Sequence, residues 1–336
     1  MEIRPADSGI PLDTLDRRIV GALQIDGRAE ISRMAAVLEV SPRTVTRRLQ
    51  RMQRAGVLRV VRTTGTAQAV GATVLRVRVL RGKVDTIAES FARRPDVLTA
   101  DIVLGGEEIN VVLTGGPLTR DRLLHHQLPA TGAVVSTTAH SVLHVFADAA
   151  HWRADALTSD QIAALAPAPA GIGAFATDAL DERLLALLGK DARLPHATLA
   201  QLAETPESTV RRRLRRLTDA GMLRTHVVID PRLLGMDIDA ALWLNVPPAR
   251  LREVGDALAA HPHTHAVAAT TGPANLIAAV YCPDLAALFA FTTDVLGPLG
   301  VTSAETAIIS RTAKPVGAQQ LRPLSPSPAP APSPRS

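Results

Sequence analysis

The sequence predicts an α+β chain built from two copies of one two-part unit, a small helical head followed by a layer of strands and helices. Two observations carry this. The segment LDRRIVGALQIDGR from Leu15 returns as LDERLLALLGKDAR from Leu180, and STVRRRLRRLTDAGMLR from Ser208 echoes the basic stretch SPRTVTRRLQRMQRAGVLR of residues 41–59. Within each copy the hydrophobic period then changes from that of a helix to that of a strand.

In the first head, Leu12, Leu15, Ile19 and Leu23 recur at three- and four-residue steps and predict a first helix. Ile31, Met34, Ala35 and Leu38 predict a shorter second one, and the tight turn LEVS follows. Val45, Leu49 and Met52 mark the buried stripe of a third helix, capped by Ser41, started by Pro42 and ended by Gly56. The stretch VLRVVRTTGTA (57–67) predicts a two-stranded wing. Beyond it, TVLRVRVL (73–80) alternates Leu75, Val77 and Val79 with Arg76 and Arg78, as a strand with one buried face does. A helix over VDTIAESFARR, two strands split at a Gly-Gly pair, a helix near 118–128 and a strand near 133–145 complete the order β-α-β-β-α-β. That order predicts a ferredoxin-like antiparallel sheet backed by two helices. RRPDVLTADIVLGGEEINVVL (93–113) matches AHPHTHAVAATTGPANLIAAV (260–280) in pattern, so the second copy follows the first. The expected boundaries are heads at 12–66 and 177–231, strand-and-helix domains at 70–150 and 235–315, a Pro/Ala/Gly linker at 156–176 and a disordered Pro-rich tail at 322–336.

Composition narrows the class. The chain has 336 residues, room for several domains, and its 37 Lys+Arg against 32 Asp+Glu leave a formal charge of +5, so the placement of the arginines matters more than their total. A single cysteine, Cys282, excludes an internal disulfide framework and a zinc site of paired cysteines. A reducing, cytoplasmic setting is expected, with no membrane partner, because the N-terminal MEIRPADSGIPLD is no signal peptide and no long apolar run follows. No phosphate-binding glycine loop and no G-x-S-x-G elbow occurs, and neither a cofactor nor a metal is implied.

On a helix over 42–55, Arg43, Arg47, Arg51 and Arg54 lie opposite the apolar stripe, and no acid occurs between 41 and 62. A solvated face normally mixes signs, so the layout points to helix-turn-helix binding of double-stranded DNA, the third helix entering the major groove. Ser41, Arg43, Thr44, Thr46, Arg47, Arg48, Gln50, Arg51 and Arg54 are the candidate contacts, with Arg59 and Arg62 of the wing near the DNA backbone. The second head offers Ser208, Thr209, Arg211, Arg212, Arg213, Arg215, Arg216 and Arg224, but also carries Glu207 and Asp219, which suggests a different sequence preference.

The ordered set of leucine-aspartate, DGR, S..TV..R and AGVL resembles the Lrp/AsnC (feast/famine) transcription regulators, over about 12–146 and again 177–314. The resemblance implies winged heads and effector (RAM) domains that pair through their sheets, assemble into oligomers and bind an amino acid or related small molecule. It also implies a tandem fusion in which one chain supplies a pseudo-dimer. The family's Gly-x-x-Asp turn is altered here: Gly105 is followed by Glu108, and Gly272 by Asn275, which makes these four the candidate effector-binding residues. The same architecture resembles the sirohaem decarboxylases, an enzymatic alternative to which the arginine-rich third helices give little support. A non-enzymatic regulator is therefore expected.

Three further features receive plainer readings. The alternate histidines of HPHTH (261–265) suit an exposed loop better than a metal site, since no cysteine or acid completes a ligand set. His140 and His144, four apart on a strand, should share a face. Trp243, equivalent to Arg76, should lie on a covered sheet face, against Arg76 of the other copy.

Overall fold

The computed structural model describes residues 11–63, 70–114, 116–150, 152–167 and 176–316. The Pro-rich tail, residues 64–69 of the wing segment and residues 168–175 lie outside them.

Each head is three helices on an apolar core. In the first, α1 (Thr14–Ile25), α2 (Ile31–Leu38) and α3 (Pro42–Arg54) bury Ile19, Leu23, Met34, Leu38, Val45 and Met52. Ser41 caps α3 by accepting from Thr44 N–H at 3.1 Å, and Pro42 occupies its first turn. Glu39 takes the left-handed conformation at φ 58° to make the sharp turn between α2 and α3. The second head repeats this with α7 (Ala179–Lys190), α8 (His196–Ala203) and α9 (Glu207–Asp219), Glu204 turning at φ 52°.

The wings differ from expectation. The head strand β1 (Leu58–Thr63) pairs antiparallel with β6 (Arg224–Ile229) of the other copy, Leu58 opposite Ile229 and Thr63 opposite Arg224. Val60 and Val61 are fully buried, and the equivalent strand of the second copy supplies the ladder they need. Arg59 and Arg62 are half-buried in this seam.

Residues 156–176 are also more than a linker. Ser159–Leu165 form a helix, α6, capped by Thr158. Leu165 is completely buried against the first head, and Gln161 Nε2 donates to Val37 O at 3.1 Å. The apolar positions Leu157, Ile162 and Leu165 close the head's core where composition suggested only a spacer.

The remaining elements are β2 (Thr73–Val79), α4 (Val84–Ala92), β3 (Val97–Val103), β4 (Glu108–Leu113), α5 (Pro117–Arg122) and β5 (Val134–Ala147), then β7 (Ile238–Asn245), α10 (Leu251–Ala259), β8 (Thr264–Thr270), β9 (Leu276–Cys282), α11 (Leu285–Ala290) and β10 (Ser303–Lys314). Each set of four strands has the ferredoxin-like order fourth, first, third, second. The long fourth strands then leave their own sheet: β5 pairs with β8 and β10 with β3, which closes all eight strands into one barrel shared by the two copies. Helices cover the outside over Leu75, Val77 and Ile109 in one half and Leu242, Leu276 and Val280 in the other. The inner face holds an apolar plug of Val74, Val142 and Trp243.

β-bulges let the fourth strands change sheets, between Val142 and His144 and between Ile309 and Arg311. One extra residue reverses the alternation, so His140 is buried inside the barrel at 3% exposure while His144 points outward, edge-on to Phe146 at 4.6 Å. The two therefore do not share a face. Of the HPHTH histidines, His261 and His263 lie in the loop between α10 and β8 as expected but are half-buried, His261 packing edge-on against Phe291 at 4.9 Å, whereas His265 is already on β8, where it stacks on Tyr281 at 3.8 Å and meets Asp239 at 3.3 Å.

Candidate nucleic-acid interface and effector cavity

The cationic faces of α3 and α9 are each organised by a buried aspartate. Asp13 and Asp16 form a reciprocal capping box on α1, the Asp16 N–H donating to Asp13 Oδ1 at 2.9 Å and the Asp13 N–H to Asp16 Oδ2 at 3.2 Å. Asp16, with no exposed surface, also accepts from Arg48 at 3.1 Å and from Arg51. The N–H of Asp16 and the Arg48 guanidinium hold the Asp13 carboxyl below the usual carboxylate range. The second copy repeats the set: Arg213 reaches Asp178 at 2.6 Å and Asp181 at 3.2 Å, and Arg216 reaches Asp181 at 2.5 Å. Arg48, Arg51, Arg213 and Arg216, expected among the DNA contacts, are thus tied back to the head. A buried carboxylate must be paired, and these arginines sit one and two turns along the flank of the helix that faces it.

What stays outward is narrower. Arg43, Arg47, Gln50 and Arg54 are exposed on α3, with Thr46 partly so. Ser41 and Thr44 hydrogen-bond each other at 2.8 Å in the cap. On α9, Ser208, Arg211, Arg212 and Arg215 line one shallow cleft of about 360 Å³, though Glu207 already pairs with Arg211 at 3.0 Å. Thr209 is partly exposed beside them, and Arg224 is exposed at the start of β6.

The segment DGR fixes one head on the other. Gly27 N–H donates to Thr225 Oγ1 at 3.2 Å, and a Cβ there would come within 2.5 Å of that oxygen and 2.7 Å of Val60. Arg28 donates to Ala192 O, while Arg193 donates to Gly27 O at 2.7 Å and Ala29 O at 3.2 Å. Burial pushes both guanidinium pKa values down, and Arg193 adds to the effect on Arg28.

A second site lies inside the barrel. A cavity of about 510 Å³ is lined from both copies, by Arg76, Arg78 and Glu108 of the first sheet and Trp243, Asn245 and Glu305 of the second, with Ser136, Thr138, His140 and Ser303 around them. Arg76 makes a bidentate pair with Glu108 at 2.9 and 3.1 Å and a second with Glu305 at 2.8 and 2.5 Å. Its guanidinium lies 4.8 Å from the centre of the Trp243 ring, the cross-copy arrangement expected of this pair. The double pairing raises the Arg76 pKa and, in return, holds Glu305 below its ordinary value. His140 Nδ1 donates to Thr271 O at 2.8 Å, an acceptor-only partner that fixes the proton on Nδ1.

Of the four residues expected to bind an effector, the structure brings Glu108 to this cavity. Gly272, at φ 101°, supports it from behind, since a Cβ would meet His140 Nδ1 at 2.5 Å. Asn275 is instead occupied by the Val246 backbone, accepting its N–H at 2.9 Å and donating to its carbonyl at 2.7 Å. Gly105 sits in the exposed β3–β4 turn. Thr138 and Glu305 were not foreseen, because strand alternation marks a face without saying what another strand brings to it.

Residues 12–53 and 178–218 match the AsnC-type helix-turn-helix domain, and residues 239–318 match the Lrp/AsnC ligand binding domain. An HTH-type transcriptional regulator of Pyrococcus furiosus is 32% identical over 139 residues, spanning 41% of this chain and 94% of that protein. LrpA of Pyrococcus abyssi is 27% identical over 139 residues, 41% of this chain and 99% of its own. Among solved structures, the siroheme decarboxylase NirDL aligns at a TM-score of 0.57 over 90% of this chain and 93% of its own, and at 14% identity that likeness is one of fold. With two AsnC-type heads, a matching ligand binding domain and near-complete coverage of a related regulator, the chain belongs to the Lrp/AsnC family of transcription regulators.

Proposed function

We propose that this chain is a sequence-specific, DNA-binding transcriptional regulator of the Lrp/AsnC type whose two heads engage one operator together and whose barrel takes a small metabolite, an amino acid or a related compound. One observation carries the reading: two arginine-bearing helices, α3 and α9, are held by the β1–β6 ladder within a single chain, so one polypeptide presents both halves of a DNA-binding dimer. Arg43, Arg47 and Arg54 on one side and Arg211, Arg212 and Arg215 on the other supply phosphate contacts, while Thr46 and Gln50 reach base edges. The protein acts as a regulator and not as an enzyme, in the cytoplasm; among the described residues no helix is long and apolar enough to cross a membrane. Further assembly of chains into a homo-oligomer follows the family habit.

The test is fragment selection from native genomic DNA followed by affinity measurement across salt. Binding should fall steeply as salt rises, with several counterions released. Salt-independent binding, or none, would overturn the reading. The tetrapyrrole alternative is separated by adding sirohaem: a shifted absorption band with no DNA selectivity would favour it.

A further inference from the structure

The barrel cavity has an uneven supply of hydrogen-bonding groups. Its two carboxylates are occupied: Glu108 and Glu305 each accept two N–H groups of Arg76, which uses four of that side chain's five, and its guanidinium lies over the Trp243 ring. The donors, by contrast, are open. The Arg78 side chain, exposed on the same face two residues along β2, makes no hydrogen bond or ion pair among the described residues. Trp243 is 4% exposed, and its Nε1–H is buried with no acceptor among the described residues. A buried donor left unpaired is costly, so this N–H points to an acceptor arriving from outside the chain.

Resting on the reading of the barrel as the metabolite-binding part, we infer that this cavity binds a small organic anion, a carboxylate without an ammonium group, held by Arg78 and the Trp243 N–H. Every carboxylate oxygen of the cavity already accepts from Arg76, so the charged and unpaired groups left for a ligand are the Arg78 guanidinium, which offsets the second carboxylate, and the Trp243 N–H, both of them donors suited to a carboxylate. The volume of about 510 Å³ lies in the range of metabolite sites, and an eight-stranded barrel is wide enough for one small ligand. The stoichiometry follows from the divergence of the two copies. Arg76 and Arg78 are matched in the second copy by Trp243 and Asn245, so the chain has one such arginine pair and binds one anion.

The test uses the full chain and matched probes, 2-oxoisocaproate against leucine and 2-oxoglutarate against glutamate, at constant ionic strength, by calorimetry and tryptophan fluorescence. At least one oxo acid should bind once per chain, about tenfold or more tighter than its amino acid, and quench fluorescence. Arg78→Gln should weaken that binding about tenfold or more, with Arg78→Lys recovering part of it, and Trp243→Phe should abolish the quench. Thermal unfolding of each variant reports its fold. The inference is overturned if the amino acids bind as well as their oxo acids, if two anions bind per chain, if Arg78→Gln binds like the parent, or if neither oxo acid binds at millimolar concentration. DNA binding of the unmodified chain, measured alongside, separates the outcomes: its loss would remove the regulator reading, while its presence without anion binding would remove only this inference.

Discussion

Asp16 has no exposed surface and serves two helices at once, closing the cap of α1 and anchoring Arg48 and Arg51 of α3. Replacing it with alanine should lower stability by about 2 kcal/mol, less than for a wholly buried pair because Arg51 is partly solvated. Chemical denaturation would measure this, and Asp181→Ala should act similarly on the second head. Arg47, exposed on α3, should behave otherwise: Arg47→Ala should leave the melting temperature unchanged, weaken operator binding several-fold and reduce the salt slope by about one. Asp101, half-buried on β3, gives a pH signature. Burial and the nearby Asp239 carboxylate raise its pKa to about 7, against Thr312, which hydrogen-bonds the charged form. The folded state therefore holds this proton to higher pH than the unfolded state, and stability falls as pH rises from about 4 to 7. Asp101→Asn should flatten that decline and raise the melting temperature at pH 8 by roughly 2–4 °C, for about 1 kcal/mol recovered. The cap at Ser41 and the arginines of α3 were legible in the sequence, because capping and periodicity act over a few residues. That some arginines bind an aspartate some thirty positions earlier was not, since charge spacing along one helix carries no record of its neighbours.

At the scale of elements, order and type were readable and partners were not. The β-α-β-β-α-β succession follows from alternating and helical periods, and the structure keeps it. The pairing of β1 with β6, and of the fourth strands with the opposite sheet, joins residues far apart in sequence that only tertiary closure brings together. The same limit hid the cavity: the sequence showed Arg76 only as a residue on the face opposite the buried one, and Glu305, its second partner, lies 229 positions away. Gly27 is where these pairings are most sensitive, because any side chain there collides with Thr225 and Val60. Gly27→Val should therefore preserve helix content by circular dichroism yet reduce affinity for a two-half-site operator about tenfold or more. Affinity for an isolated half-site should change little.

For the whole molecule, the barrel and the head ladder make one chain a complete twofold-like unit. Separate expression of residues 1–166 and 176–316 tests whether that unit is specific. The Arg76 cluster needs Glu108 from one half and Glu305 and Trp243 from the other. A pair of second halves would bring two Glu305 side chains together without an arginine. Mixed halves should accordingly form the heterodimer in preference to either homodimer, as native mass spectrometry would show. The covalent link also removes dilution as a variable, so the operator-binding curve should keep its shape at protein concentrations where a two-chain relative dissociates. The unequal heads have one more consequence. A symmetric dimer reads a palindrome and cannot tell which way round it sits, whereas a chain with Glu207 beside Arg211 in one head and an uncompensated arginine face in the other has a left and a right. Its operator carries a direction, and inverting that site beside a promoter presents the opposite flank of the protein to the transcription machinery.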